Sequence, residues 1–254
     1  MRVTTIQCDL KWESPAVNRR NLEQKMQGLK GGTDLILLPE MFTTGFTMNP
    51  TDLAESMEGD THQWMREQAK ESQAAVAGTL IIEENGQFFN RFLFVCPNGT
   101  THQYDKRHLF SMAGEDEFYT AGSKRCIFTY LDLKICLQVC YDLRFPVYSR
   151  NSENYDLLIY VANWPAKRIP HWQALLVARA IENQAYVVAV NRVGTDANSH
   201  SYPGSSMVID PKGTIWYQAM DCEDVATHEL ELNHLLEIRK TLPFLKDQDA
   251  FKIL

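Results

Sequence analysis

The sequence predicts a single α/β domain, and three observations support this fold class. Short apolar or alternating runs, typical of strands, recur along the chain and are interspersed with helix-prone segments. No Pro/Gly/Ser-rich linker or charge run interrupts residues 1–254. Hydrophobic residues make up 44% of the chain and charged residues 22%, which is ordinary for a globular protein. We therefore expect one mixed domain rather than two separate ones.

The first half of the chain predicts strands, two helices and a hairpin. Strands are expected in RVTTIQCDL, DLILLPE and AAVAGTLIIEE, and helices over residues 17–29 and 61–73. The continuous apolar centre of DLILLPE is typical of a strand that is buried on both faces. A hairpin is expected around Pro97-Asn98-Gly99, because Asn-Gly favours a tight turn.

The second half repeats this alternation. Two strands are expected in KRCIFTYLDLKICLQV, one in DLLIYVANW and one in YVVAVNRVG, with a hairpin around residues 211–213. A helix is expected from about Pro146 and another in PHWQALLVARAIENQA. In the latter we predict that one face carries Leu175, Ala178, Ile181 and Ala185.

The charge and cysteine pattern restricts the class of protein. A formal net charge of −7 argues against nucleic-acid or anionic-membrane partners, and no apolar run is long enough to span a membrane. The N-terminus lacks a secretory pattern, and the six cysteines are scattered without CxxC pairs. We therefore expect a cytoplasmic protein with reduced thiols and no metal. Positive residues gather in the middle of the chain, which suits a small anionic substrate.

Three reactive side chains lie at or near the ends of predicted strands. Glu40 follows LILLP, Lys106 lies in YDKRHLF after a strand, and Cys140 follows ICLQV. Loops at strand ends are common places for active sites, because a rigid sheet supports them. Each residue also has a structural alternative, namely a helix cap, a solvated lysine or a small core residue.

Taken together, these motifs resemble the nitrilase superfamily of carbon–nitrogen hydrolases. The resemblance lies in LPEMFTTGF, YDKRHLF and CYDLRFP, in that order and spacing, and extends through YVANWP and SYPGSSMVIDPKG. Within the superfamily, YDKRHLF, CYDLRFPVYSRN and YVANWPA are most similar to the bacterial omega-amidase branch.

This resemblance implies a four-layer αββα nitrilase-like sandwich with the catalytic residues Glu40, Lys106 and Cys140. A second glutamate, counted seven residues back from Gly122, is expected at Glu115, with Glu117 as the alternative. The resemblance implies no metal or organic cofactor. It also implies a homodimer, in which the tail from about residue 235 crosses to the partner.

The chemistry of these residue types fits amide hydrolysis through a thioester. Transfer of the thiol proton from Cys140 to Glu40 would cost roughly 6 kcal/mol in water, so the site must reduce the difference between their pKa values. We expect Lys106 to favour the thiolate and to stabilise the oxyanion, with the backbone N–H of Tyr141 as a second donor. Glu40 would then protonate ammonia and activate water.

The omega-amidase resemblance implies 2-oxoglutaramate, and perhaps 2-oxosuccinamate, as substrates. Arg144 is a candidate ligand for their carboxylate, although it could instead pair with an acidic neighbour. Trp164 and Phe46 are expected to line the pocket, and residues Phe42, Lys167 and His171 to flank it.

Three alternatives remain open. A Cys–His hydrolase would pair Cys140 with His108 or His171. A nitrilase, carbamoylase or acyltransferase would share the triad and differ in its pocket. A non-catalytic assembly protein would share only the fold.

Overall fold

The computed structural model describes residues 1–253, which form two six-stranded sheets and seven α-helices. The first sheet is built from β1 (Arg2–Gln7), β2 (Leu35–Leu37), β3 (Ala75–Glu84), β4 (Gln87–Val95), β5 (Thr101–Asp105) and β14 (Asp224–Glu229). The second is built from β6 (Ile127–Tyr130), β7 (Leu133–Val139), β8 (Leu157–Ala162), β9 (Tyr186–Asn191), β12 (Met207–Ile209) and β13 (Ile215–Gln218). A separate small hairpin pairs β10 (Val193–Thr195) with β11 (Ser201–Pro203).

The helices are α1 (Pro15–Met26), α2 (Pro50–Leu53), α3 (Asp60–Ser72), α4 (Glu115–Phe118), α5 (Pro146–Ser149), α6 (Ile169–Asn183) and α7 (Leu232–Thr241). The hairpins predicted around residues 97–99 and 211–213 are confirmed, as β4–β5 and β12–β13. The helix predicted from Pro146 is present but only four residues long.

The two sheets have similar topologies. The strand order is β14-β1-β2-β3-β4-β5 in the first sheet and β13-β12-β9-β8-β7-β6 in the second. In each, three central strands are parallel, and the outer strands are antiparallel to their neighbours. Parallel strands end at the same edge of a sheet. The residues after β7 and those after β8 therefore lie at one edge of the second sheet. The residues after β2 lie at the edge of the first sheet where its parallel strands end.

Three hydrophobic clusters define four layers. One cluster, between the sheets, joins Leu35 and Leu37 of β2 to Ile159 of β8. A second joins the opposite face of the first sheet, including Ile36, to α1 and α3. A third joins the outer face of the second sheet to α6 through Trp172. The predicted αββα sandwich and the burial of β2 on both faces are therefore confirmed.

The face predicted for α6 is wrong. Trp172, Leu176 and Ala180 form the buried face, whereas the side chain of Ile181 is 46% exposed. Ala185 lies beyond the end of the helix. Apolar residues occur on more than one side of this helix, so spacing alone allows several faces, and packing of Trp172 on the second sheet selects one of them.

The C-terminal segment begins by packing on its own chain. Leu235 and Ile238 of α7 are buried, and Leu235 belongs to the cluster between the sheets. A short 3₁₀ turn, Phe244–Asp247, follows. The crossing of this segment to a second copy stays a prediction. In the described range 1–253, no helix has the length and apolarity that a membrane span requires.

Candidate active site

The structure brings Glu40, Lys106 and Cys140 together from the two sheets. Glu40 follows β2 and Lys106 follows β5 in the first sheet, while Cys140 directly follows β7 in the second. Glu40 and Lys106 are completely buried, and Cys140 is partly buried at a cavity. The strand-end positions read from the sequence thus converge on one place.

A buried ion-pair network forms the base of the site. The Lys106 Nζ donates to Glu40 Oε1 at 2.9 Å and to both oxygens of Glu115, at 2.9 and 2.8 Å. All three residues have no exposed surface. The network therefore holds two carboxyl groups and one ammonium group out of water, a costly arrangement that is tolerated only with dense hydrogen bonding.

Glu115, and not Glu117, faces the lysine. Glu115 is the first residue of α4, and its Oε2 also accepts a hydrogen bond from the backbone N–H of Phe110 at 2.6 Å. Glu117, two residues later, is exposed. Of the two glutamates that the sequence left open, only Glu115 contacts Lys106.

The network shifts the ionisation of its members. Burial alone would lower the pKa of Lys106, but Glu115 and Glu40 raise it above its ordinary value, so the ammonium is retained. Burial raises the pKa of the Glu115 carboxyl group, and the charge of Lys106 opposes that rise. Lys106 is accordingly a fixed positive charge next to Cys140.

The nucleophile candidate has an unusual backbone and a raised thiol pKa. Cys140 has φ of +43°, in the left-handed region, where it begins the 3₁₀ turn Cys140–Arg144. Burial raises the pKa of its thiol and Glu40 raises it further, whereas Lys106 lowers it. The lowering expected from Lys106 is therefore present, but burial and Glu40 outweigh it.

Two buried asparagines that sequence reasoning missed hold the Glu40 side chain. Asn90 of β4 donates from Nδ2 to Glu40 Oε1 at 2.8 Å. Asn163, after β8, donates its backbone N–H to Glu40 Oε2 at 2.8 Å and its Nδ2 to the Glu40 carbonyl at 2.6 Å. The sequence did contain a signal for Asn90. It is an asparagine inside the apolar run of β4, and a buried amide needs polar partners.

A cavity of about 630 Å³ opens above Cys140. All four residues predicted to bind substrate line it, namely Phe46, Tyr141, Arg144 and Trp164. Sequence reasoning missed other lining residues, which include Phe110, Asn163, Arg168, Asn198, His200 and Tyr202. The Phe46 ring centre lies 5.1 Å from Lys106 Nζ, so Phe46 forms the part of the cavity wall close to the buried lysine.

Two arginines, Arg144 and Arg168, line the cavity together with one carboxylate, that of Asp196. The guanidinium of Arg144 lies 4.9 Å from the Trp164 ring centre and 3.1 Å from His171 Nδ1. That of Arg168 lies 4.9 Å from the ring centre of Phe110. Within residues 1–253, neither arginine forms a salt bridge with a carboxylate. The acidic neighbour considered for Arg144 is therefore not found there.

The histidines of the Cys–His alternative point elsewhere. His108 Nδ1 lies 2.8 Å from Asp142 Oδ1, and its ring stacks on Phe145 at 3.9 Å. His171 contacts Arg144 and does not line the cavity. Of the other residues predicted to flank the pocket, Phe42 is a core residue and Lys167 is exposed. Glu40, rather than a histidine, is the base candidate beside Cys140.

Comparisons with known proteins agree with this geometry. The family model for carbon–nitrogen hydrolases matches residues 2–240. The omega-amidase YafV of Escherichia coli K12 is 46% identical over 256 residues, which covers 100% of this chain and 98% of the relative. The 2-oxoglutaramate amidase of Bacillus subtilis is 30% identical over 250 residues and covers 96% of each chain.

A solved structure has nearly the same fold. A CN-hydrolase superfamily protein from Xanthomonas campestris, which carries an arsenic adduct in its active site, superposes with a TM-score of 0.98. It is 40% identical, and the alignment covers 100% of this chain and 99% of that one. This chain therefore belongs to the carbon–nitrogen hydrolase family and is an amidase of that family.

Proposed function

We propose that this amidase is a cysteine-dependent omega-amidase that hydrolyses the terminal amide of 2-oxoglutaramate, and also that of 2-oxosuccinamate. The observation that carries the proposal is the buried network of Lys106 with Glu40 and Glu115 next to Cys140. The omega-amidase and 2-oxoglutaramate amidase relatives, similar over nearly their whole length, support the substrate.

In the first half of the reaction, the Cys140 sulfur attacks the amide carbon and its proton passes to Glu40. This transfer moves one negative charge from Glu40 to the substrate oxyanion and leaves the total charge of the site unchanged. Proton transfer with attack is favoured because a free thiolate would add a further negative charge beside Glu40. Lys106 and the backbone N–H of Tyr141 stabilise the oxyanion.

In the second half, collapse of the tetrahedral intermediate breaks the C–N bond, and Glu40 returns its proton to the departing ammonia. Water then gives a proton to Glu40 as it attacks the thioester carbon. Collapse of this second tetrahedral intermediate breaks the C–S bond and releases the carboxylic acid, and Glu40 returns the proton to the Cys140 sulfur. Glu115 keeps Lys106 charged and in place throughout.

The cavity supports a small anionic amide as substrate. Arg144 and Arg168 both line it without a carboxylate partner among residues 1–253, and a guanidinium binds a carboxylate through two hydrogen bonds. We assign the carboxylate of the substrate to Arg144, with Trp164 as the flat wall beside the amide chain. The positive charge of Arg144 disfavours a substrate with an amino group at the same end.

The decisive assay is ammonia release from 2-oxoglutaramate, with glutamine as the amino analogue. We expect rapid release by the wild type, slow release from glutamine, and no release by Cys140→Ala. Cys222→Ala is the matched control, because Cys222 is an exposed cysteine outside the cavity.

Two results would contradict the proposal in different ways. Full activity of Cys140→Ala would exclude the thioester route. No release from 2-oxoglutaramate by a wild type that hydrolyses other small amides would exclude the omega-amidase assignment and retain the mechanism.

A further inference from the structure

The carboxylate of Asp142 holds the turn that carries Cys140. Asp142 is completely buried, and its Oδ2 accepts a hydrogen bond from the backbone N–H of Val139 at 3.0 Å. This bond spans Cys140, whose left-handed backbone is strained for a residue with a side chain. The carboxylate therefore stabilises a conformation that the local sequence alone does not favour.

The same carboxylate also holds the segment that carries Lys106. Tyr104 and His108 lie two positions before and two positions after this lysine. The Tyr104 hydroxyl donates to Asp142 Oδ2 at 2.8 Å, and His108 donates to Oδ1 from its backbone N–H at 2.9 Å and from Nδ1 at 2.8 Å. An ionised carboxylate only accepts hydrogen bonds, so Nδ1 carries the proton in this pair.

The Tyr104 hydroxyl makes a second connection on the lysine side. It accepts a hydrogen bond from the backbone N–H of Arg107 at 3.1 Å while it donates to Asp142. Arg107 is the neighbour of Lys106, so the hydroxyl joins the lysine segment to the carboxylate directly. Tyr104 is itself buried at the end of β5.

We propose that Asp142 is a positioning residue that sets the separation between Cys140 and Lys106, and that Tyr104 transmits part of this constraint. Neither residue lines the cavity, so both act through the groups they hold. The first sheet carries Lys106 and the second carries Cys140, so a fixed link between their loops is needed for one productive geometry. The proposal rests on the proposed role of Cys140 as nucleophile.

The test compares Asp142→Asn and Tyr104→Phe with Asp210→Asn as a matched control. Asp210 is also buried, accepts two backbone hydrogen bonds in the β12–β13 hairpin, and lies 3.6 Å from a histidine. We expect kcat to fall about 100-fold in Asp142→Asn and about 10-fold in Tyr104→Phe, with KM within about twofold, because misplaced reacting groups slow chemistry. Asp210→Asn should lower Tm and leave kcat within about twofold.

Iodoacetamide labelling of Cys140 provides a readout that does not require amide hydrolysis. Labelling needs the Cys140 thiolate but no stabilisation of an oxyanion by Lys106, so in Tyr104→Phe its rate should change far less than kcat does. The double variant should be no slower than Asp142→Asn, because both changes break one chain of contacts. Activity is measured on the fastest substrate in a panel of small amides, so a failure of 2-oxoglutaramate alone leaves this test intact.

Several outcomes would overturn the proposal. These are wild-type kcat in both single variants, an equal loss of kcat in Asp210→Asn, or losses that multiply in the double variant. If Asp142→Asn does not fold, Tyr104→Phe decides, because it removes one hydroxyl and keeps the ring. A Tyr104→Phe enzyme with wild-type kcat would then contradict the link between the two segments.

Discussion

Lys106 and Glu115 form a two-point ion pair that is completely buried, with Nζ at 2.9 and 2.8 Å from the two carboxylate oxygens. Glu40 shares the same ammonium at 2.9 Å. Glu115 thus balances the charge of the lysine, and in the proposed mechanism this leaves Glu40 available as a base. The two carboxylates also differ in their other partners, because the backbone N–H of Asn163 donates to Glu40 and that of Phe110 donates to Glu115.

Replacing Glu115 by glutamine should reduce both activity and stability. The variant keeps the shape of the side chain but leaves Lys106 with one anionic partner instead of two, so the buried charge is less well compensated. We expect the free energy of unfolding to fall by about 3 kcal/mol and kcat to fall about 100-fold. Denaturant unfolding and steady-state kinetics measure these quantities. Glu117→Gln is the control, and an equal effect there would contradict the assignment.

Replacing Glu40 by glutamine should separate thiol reactivity from hydrolysis. Burial and the charge of Glu40 both raise the pKa of the Cys140 thiol, while Lys106 lowers it. Removal of the Glu40 charge therefore lowers this pKa and increases the thiolate fraction at neutral pH. We expect alkylation of Cys140 to be as fast as in wild type or faster, with amide hydrolysis abolished. Slower alkylation together with retained hydrolysis would refute the role of Glu40.

The pH dependence of Cys140 alkylation follows from the raised thiol pKa. Only the thiolate reacts, so below its pKa the rate should rise about tenfold per pH unit. An ordinary thiol, with a pKa of about 8.5, levels off above that pH. We expect the Cys140 rate to keep rising through pH 9, as followed by mass spectrometry of the labelled peptide. A plateau near neutral pH would mean that the resting group is already a thiolate.

Arginine substitutions should distinguish substrate binding from a structural role. We expect Arg144→Gln to lower kcat/KM for 2-oxoglutaramate by roughly 10- to 100-fold, the usual worth of a charged hydrogen bond. Hydrolysis of an uncharged amide of similar length should change little. Arg168→Gln is the companion variant, because Arg168 lines the same cavity. An equal loss on charged and neutral amides would show that the arginine supports the fold instead.

Gly122 should tolerate no side chain. A Cβ at this position would lie 2.1 Å from the backbone carbonyl oxygen of Asp105, and the Gly122 N–H donates to the Lys106 carbonyl at 2.9 Å. Gly122→Ala must therefore displace the segment that carries Lys106, which should cost about 2 kcal/mol of stability and lower kcat. Gly32→Ala is the control, since its Cβ would meet only an ordinary contact at 3.4 Å. Wild-type melting of Gly122→Ala would disprove this prediction.

The sequence by itself determined the elements and the chemistry. The apolar run before Glu40 and the alternating runs elsewhere have strand periods that local backbone geometry imposes, so the sheets and hairpins were predictable. Lys106 and Cys140 were visible because reactive side chains follow those strands within motifs of known spacing. The αββα layering followed from the resemblance of those motifs to a family.

The tertiary structure decided which side chains meet. The amides of Asn90 and Asn163 reach Glu40 from different sheets, and Asp142 joins the Lys106 and Cys140 segments. These contacts link residues 34 to 123 positions apart in the chain. Sequence periodicity describes which face a residue occupies on its own strand or helix and carries no information about the partner across a layer. Packing of the two sheets fixes that partner, because only close-packed layers bring these buried polar groups within hydrogen-bonding distance.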